Sequence, residues 1–277
     1  MYLRPTDLSE ALGALAGGGM TVLAGGTDFY PARVGRGVSE PVLDISALAA
    51  LRGVSEEGSH IRIGALTTWS ELIAHPLPAY CDGLKLAARE VGGAQIQNAG
   101  TVAGNICNAS PAADGIPPLL ALDAQVELAS ANGSRRVALT DFVMGNRRTA
   151  CGPGELVTAV LVPKWGPAAR ATFLKLGGRR YLVISIVMVA ATLEADADGR
   201  LTRAALAVGA CSEVAQRLPA LEARLLGQPL CAGLAAVARP EDLVSLTPIS
   251  DVRGTGAYRR DAALTLVRRA LAALSDE

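Results

Sequence analysis

The chain has 277 residues, of which 50% are apolar, 19% charged and 4% aromatic, and its 26 Lys and Arg balance 26 Asp and Glu. That length holds one large domain or two modest ones with a substantial core. A zero net charge excludes the basic footprint of nucleic-acid and acidic-membrane binders, and so few aromatics exclude base-stacking platforms.

The first residues, Met1 to Asp7, show no basic-then-apolar leader pattern. Asp7 or Thr6 caps a helix with Leu8, Ala11, Leu12 and Leu15 on one face, ended by Gly17, Gly18 and Gly19. Met20 to Ala24 reads as a short buried strand that runs into a glycine loop, Val22, Leu23, Ala24, Gly25, Gly26, Thr27, Asp28 and Phe29. Thr27 or Asp28 is expected to cap a helix towards Val34, and Val42 to Ile45 forms the next strand. Such a β–α–β opening commonly places a ligand at the carboxyl end of a strand. Hairpin strands follow near 53–56 and 60–64. Thr68 with Glu71 three residues on predicts a capping box, and Trp69 is assigned to packing. A helix over 79–91, with Leu84, Ala87, Ala88 and Val91 on one side, leads to a second glycine stretch.

That stretch runs from Asn98 to Asp114. Gly100 and Gly104 bracket Thr101, Val102 and Ala103, and Asn105 follows. It contains no Lys or Arg but is dense in hydrogen-bonding groups: Asn98, Thr101, Asn105, Asn108, Ser110 and Asp114. Glycines let a backbone take positive φ and approach a ligand closely, and a carboxylate such as Asp114 suits sugar hydroxyls better than phosphates. A merely connecting polar loop has the same composition. The recurrence of this chemistry at 22–29 suggests a two-part grip on a long, anionic, hydroxyl-rich molecule.

Beyond it, residues 117–123 continue helically and strands are expected at 124–130, 134–139 and 155–162. Glu155, at the entry to a strand, reads as solvated rather than as a catalytic base. Residues 163–168, with two prolines and a glycine, mark a domain boundary. Strands at 170–177, 184–194 and 202–210 then suggest an antiparallel sheet covered by helices at 213–226 and 256–274. Lys175 to Arg180, with Gly177, Gly178 and Arg179, reads either as a hairpin turn or as an element that binds phosphate or a flavin edge. The longest apolar run, Leu182 to Leu193, falls short of the roughly 20 residues a membrane helix needs. Five cysteines with no Cys-x-x-Cys pair point to free thiols in a reducing compartment, and the chain reads as soluble and cytoplasmic. His60 and His75 are too few for a histidine metal site. Dinucleotide Rossmann, NTPase phosphate-loop and nucleophile-elbow signatures are all absent, so the chemistry belongs to a bound cofactor.

Taken together, Ala24 to Asp28, Ile63 to Thr68, Gly100 to Asn105 with Ser110, Pro111 and Asp114, Lys175 to Arg180, and the late Tyr258 and Arg259 resemble one family. The chain is similar, over essentially its whole length, to the FAD-binding medium subunits of molybdenum hydroxylases of the xanthine dehydrogenase and carbon monoxide dehydrogenase type. The resemblance implies an α+β fold of the vanillyl-alcohol-oxidase/CO-dehydrogenase-flavoprotein type. Residues 1–166 would form a two-subdomain FAD-binding domain, divided at about 52, and 167–277 a C-terminal domain with a three-stranded antiparallel sheet and helices. It implies FAD across 22–29 and Thr101 to Asn105, with Asp114 on its hydroxyls, Val91 among the cofactor-binding residues, and Lys175 and the strand near Leu161 along the flavin. The family often has Arg where Gln97 stands and Gly where Ala103 stands. No catalytic amino acid and no metal are implied in this chain. A large subunit with a molybdenum cofactor would oxidise an N-heterocycle, an aldehyde or CO. A small subunit with two 2Fe–2S clusters would relay electrons to FAD here, for NAD or another acceptor, in a dimer of heterotrimers. The competing readings are a stand-alone flavin-dependent oxidoreductase of the same fold and a non-enzymatic nucleotide-binding scaffold.

Overall fold

The structure, a computed structural model, describes residues 1–275. It opens with β1 (Tyr2–Leu3), α1 (Leu8–Ala16), β2 (Thr21–Leu23) and β3 (Val42–Asp44), the strands forming a parallel sheet in the order β1–β3–β2. Helix α1 begins where the Asp7 carboxylate accepts from the Ser9 amide at 2.8 Å, a cap that contributes about 1 kcal/mol. Its Ala11 and Leu15 pack with Leu43 and Ile45. The helix expected towards Val34 is only a 3-10 turn over Pro31–Arg33, and neither Thr27 nor Asp28 caps it. Gly35 and Gly37, just beyond, leave no room for propagation.

The middle of the chain comprises β4 (Val54–Glu57), β5 (His60–Gly64), α2 (Trp69–Ala74), α3 (Asp82–Glu90), α4 (Ala94–Ala99), α5 (Val102–Asn108) and α6 (Ile116–Ala121). It continues through β6 (Gln125–Ser130), β7 (Gly133–Ala138), α7 (Leu139–Phe142), the short hairpin β8 (Val143–Gly145) and β9 (Arg148–Thr149), and β10 (Leu156–Pro163). Five of these strands form an antiparallel sheet, β4–β5–β10–β6–β7. One face, with Ile61, Ile63, Val126, Val160 and Val162, shares a core with Trp69, Leu84, Ile106 and Leu119 of the helices. The capping box at Thr68 and Glu71 is formed as its spacing requires. The second glycine stretch is not an open loop. Residues 94–108 make two short helices broken at Gly100, with Thr101 capping α5 through a 2.9 Å bond from the Gly104 amide.

The C-terminal part holds β11 (Arg170–Leu176), β12 (Val187–Ala195), β13 (Leu201–Gly209), β14 (Gln216–Arg217), α8 (Pro219–Leu225) and α9 (Gly256–Ser275). The expected three antiparallel strands are present, and β14 adds a short fourth. The helix expected from 213 starts only at Pro219, because 216–217 pair with Val208 and Ala207. Side chains alternate across β12: Val189 and Ala191 pack with Ala263, Val267 and Leu271 of α9, while Met188 and Ala190 join the middle core. Helix α6 therefore lies buried against the inner face of this sheet. Between β10 and β11, Trp165 is buried beneath the Arg203 guanidinium, 3.5 Å from its ring centre. Among the described residues, no helix is long and apolar enough to cross a membrane.

Candidate cofactor site

Two connections that are distant in sequence meet at the carboxyl ends of β2 and β3. A Cβ on Gly25 would run into the Ala99 carbonyl, and one on Gly100 would press on Thr27 Oγ1 at 3.2 Å. Only residues without side chains allow this approach. Gly26 supports the turn at φ +74°. Beside the contact lies a cleft of about 490 Å³ lined by Ala24 and Gly25 of the first loop, Asn98, Ala99 and Thr101 of the second, and Ser46, Arg52 and Glu71.

The other predicted residues extend from this contact in both directions. Val22 is exposed on β2 and Leu23 is buried. Asp28 pairs with Arg147 at 3.2 Å, and the Phe29 ring lies under the Arg33 guanidinium at 3.7 Å. Val102 and Ala103 are buried in the middle core. The Ala103 methyl, one departure from the family pattern, is packed into that core. Gly104 is exposed. Asn105 Oδ1 is buried with no hydrogen-bond donor, and faces the side of Gly115 where a Cβ would stand 2.8 Å away. Gln97, the other departure, donates to the Arg89 carbonyl at 3.1 Å.

At the seam with the C-terminal sheet, Asp114 and Lys175 form a buried ion pair of 2.8 Å, and Ser185 donates to the second Asp114 oxygen at 2.8 Å. Burial pushes the Asp114 carboxyl above its ordinary range, against the pull of Lys175 and Ser185. Lys175 Nζ also donates to the Glu90 carbonyl at 3.4 Å, beside half-buried Val91. Leu161 is not brought to this group. It pairs with Arg62 and Gln125 on the sheet face opposite Val160 and Val162, turned away from the core that meets the seam. Ser185, Ser46 and Arg147 were missed in the sequence. Ser46, two residues past β3, had the signal of a strand-end position, whereas Ser185 and Arg147 act on partners far away in the chain.

The family model described as the FAD binding domain in molybdopterin dehydrogenase matches residues 1–165. The chain belongs to this family. A second model, the CO dehydrogenase flavoprotein C-terminal domain, matches residues 172–274. The chain is 33% identical, over 83% of its length and 80% of the relative's, to the nicotinate dehydrogenase FAD-subunit of Eubacterium barkeri. It is 32% identical to the glyceraldehyde dehydrogenase medium chain of Sulfolobus acidocaldarius, covering 97% of this chain and 96% of that one. Among solved structures, reconstituted CO dehydrogenase from Oligotropha carboxidovorans superposes with a TM-score of 0.90 at 28% identity, covering 99% of this chain and 97% of that chain. Quinoline 2-oxidoreductase from Pseudomonas putida 86 gives 0.89 at 26%, with 99% and 96% covered. The chain is thus an FAD-binding oxidoreductase component of the molybdenum hydroxylase class, with the fold of a CO dehydrogenase flavoprotein. Its residues suit that cofactor: the Gly25–Ala99 and Gly100–Thr27 contacts draw the two connections together beside the cleft, and Asn105 Oδ1 close by is a buried acceptor with no donor.

Proposed function

We propose that this chain is the electron-transfer subunit of a cytoplasmic, heterotrimeric molybdenum hydroxylase that assembles as a dimer of heterotrimers. In this reading a large subunit with a molybdenum cofactor hydroxylates an N-heterocycle, an aldehyde or CO. A small subunit with two 2Fe–2S clusters delivers the electrons, and NAD or another acceptor takes them from the FAD held here. Residues 1–166 are the FAD-binding domain and 167–277 the C-terminal domain. The observation that carries the reading is the meeting of the two glycine loops beside a cleft, with the buried Asp114–Lys175 pair at the adjoining seam.

Bound FAD supplies the redox chemistry. The chain's own residues hold and orient it: the backbone of 25–28 and 101–105 at the diphosphate, and Asn105 Oδ1 at a hydroxyl. Lys175 spends two of its three N–H groups on Asp114 and the Glu90 carbonyl, which leaves one for a ligand acceptor. No residue of the site is assigned as general base. His60 lies in β5 with Glu57 3.6 Å away, and His75 ends α2, which speaks against a self-contained oxidoreductase.

Expressed alone, the full chain is expected to bind FAD, with absorbance bands near about 370 and 450 nm, and to turn over no organic substrate. Mass spectrometry of the native complex is expected to find the two partner subunits. Substrate oxidation by the purified single chain would refute the proposal in favour of a self-sufficient enzyme.

A further inference from the structure

Strand β11 lies at the edge of the C-terminal sheet, held between two helices. Its Phe173 joins the core that contains Leu84 and Ala87 of α3, and its Leu174 packs on the core that contains Leu271 and Leu274 of α9. Helix α3 rests directly on the strand because Gly83 has no side chain: a Cβ there would stand 2.9 Å from the Thr172 carbonyl oxygen. A second cleft, of about 420 Å³, opens where α3, β11 and the end of α9 meet, a volume within the range of small-molecule sites. It shares no lining residue with the cleft at the two glycine loops. One stripe of α3, Asp82, Lys85, Leu86 and Arg89, follows the i, i+3, i+4, i+7 spacing and faces the cleft. Arg170 lines it from β11, and Leu274 from α9. Three cations therefore meet one carboxylate. Among the described residues, neither Lys85 nor Arg89 has a hydrogen-bond or ion-pair partner for its side chain, and Asp82 pairs with neither. Like charges four positions apart on a helix repel, and the facing Arg170 adds a third. Lys85 is only half exposed, so its charge is incompletely served by solvent.

We propose that this cleft binds a small organic phosphate, a dianionic monoester with a compact apolar body. Lys85 and Arg89 hold the oxyanion, a guanidinium offering it two parallel N–H groups and an ammonium a point charge. Arg170 faces it from the strand, and the body lies on Leu86 and Leu274. The ligand turns the mutual repulsion of the cations into attraction and bridges α3 to β11. This assignment does not depend on where FAD lies.

The test uses the full chain with saturating FAD, titrated with phenyl phosphate at constant ionic strength and followed by calorimetry and thermal melts. One phenyl phosphate is expected to bind per chain and to raise Tm. Inorganic phosphate, which lacks the ring, is expected to bind about 10-fold more weakly or worse. Lys85→Gln and Arg89→Gln are each expected to raise the Kd for phenyl phosphate about 10-fold, and the double variant to abolish the rise in Tm. Flavin content is expected to stay unchanged in all three, and the melting point of the unliganded chain not to fall. Arg89 is exposed, so Arg89→Gln carries the test if Lys85→Gln fails to fold. No binding of phenyl phosphate at millimolar concentration, or undiminished binding in the variants, overturns the site. Equal affinity for the two probes overturns the apolar half of the assignment. Loss of flavin in step with loss of phenyl phosphate would put the probe at the cofactor cleft and overturn the site as well.

Discussion

At the level of single residues, the site is built from side chains that are missing. Gly25 approaches Ala99 so closely that even a methyl group cannot be accommodated without moving the backbone. Gly25→Ala is expected to push the two loops apart, destabilise the fold by about 1–3 kcal/mol and abolish FAD retention. Flavin absorbance per chain after gel filtration measures it, and full occupancy in this variant would sink the loop-contact account. Gly104 differs. A Cβ there would come within 2.8 Å of Thr101 Oγ1 and contest the α5 cap, but the position is exposed. Gly104→Val is therefore expected to keep the fold by circular dichroism while losing FAD. These glycines were legible in the sequence because spacing and chemistry announce them locally. The partners of Asp114 were not. Lys175 and Ser185 lie 61 and 71 positions along the chain, and no local pattern encodes that meeting.

Among the elements, α6 connects the cofactor site to the C-terminal sheet. All six of its residues are buried, and the charged residues flanking it both turn to that sheet. Asp114 precedes it and meets Lys175. Asp123 follows it and accepts from Arg203 at 2.7 Å and Arg217 at 2.6 Å. Asp123 is 42% exposed, so solvent weakens its pairs. Asp123→Ala is expected to cost about 1 kcal/mol and lower Tm by about 2–4 °C, read by calorimetry at low salt. An unchanged Tm would show that these contacts contribute nothing. The sequence revealed α1, α2 and most strands, because caps and alternation are short-range signals. It concealed α4 and α5, whose polar residues and bracketing glycines imitate a loop while their few apolar positions, Val102, Ala103 and Ile106, are buried by tertiary packing. Strand β14 was concealed too, since two residues gain strand geometry only from β13. The face that Leu161 takes is a matter of parity: a strand residue one position from Val160 points to the opposite side of the sheet.

For the molecule as a whole, the seam at which the Asp114–Lys175 pair meets the C-terminal sheet joins stability to the proposed cofactor binding, and the two can be separated experimentally. Lys175 and Asp114 have side chains only 7% and 10% exposed. Removing the cation alone leaves a carboxylate buried without its counter-charge, so Lys175→Met is expected to lose about 3–5 kcal/mol near neutral pH. The pH dependence follows from the direction of the shift. Asp114 already has its carboxyl raised by burial, and without Lys175 it rises further. The folded state then holds a proton that the unfolded state has released, so the variant is most stable at low pH. It loses stability as pH climbs from the ordinary carboxyl range through the raised value. Adding Asp114→Asn removes the charge that needed neutralising, and the double variant is expected to recover most of the lost stability at neutral pH. It is not expected to recover FAD, because the remaining Lys175 N–H is gone in both variants. Thermal melts across pH, paired with flavin titration, separate the outcomes. Recovery of stability and flavin together would mean that the pair merely holds the seam closed, and persistent loss of FAD in a restored fold would show that the pair's own side chains, Lys175 or Asp114, contact the cofactor.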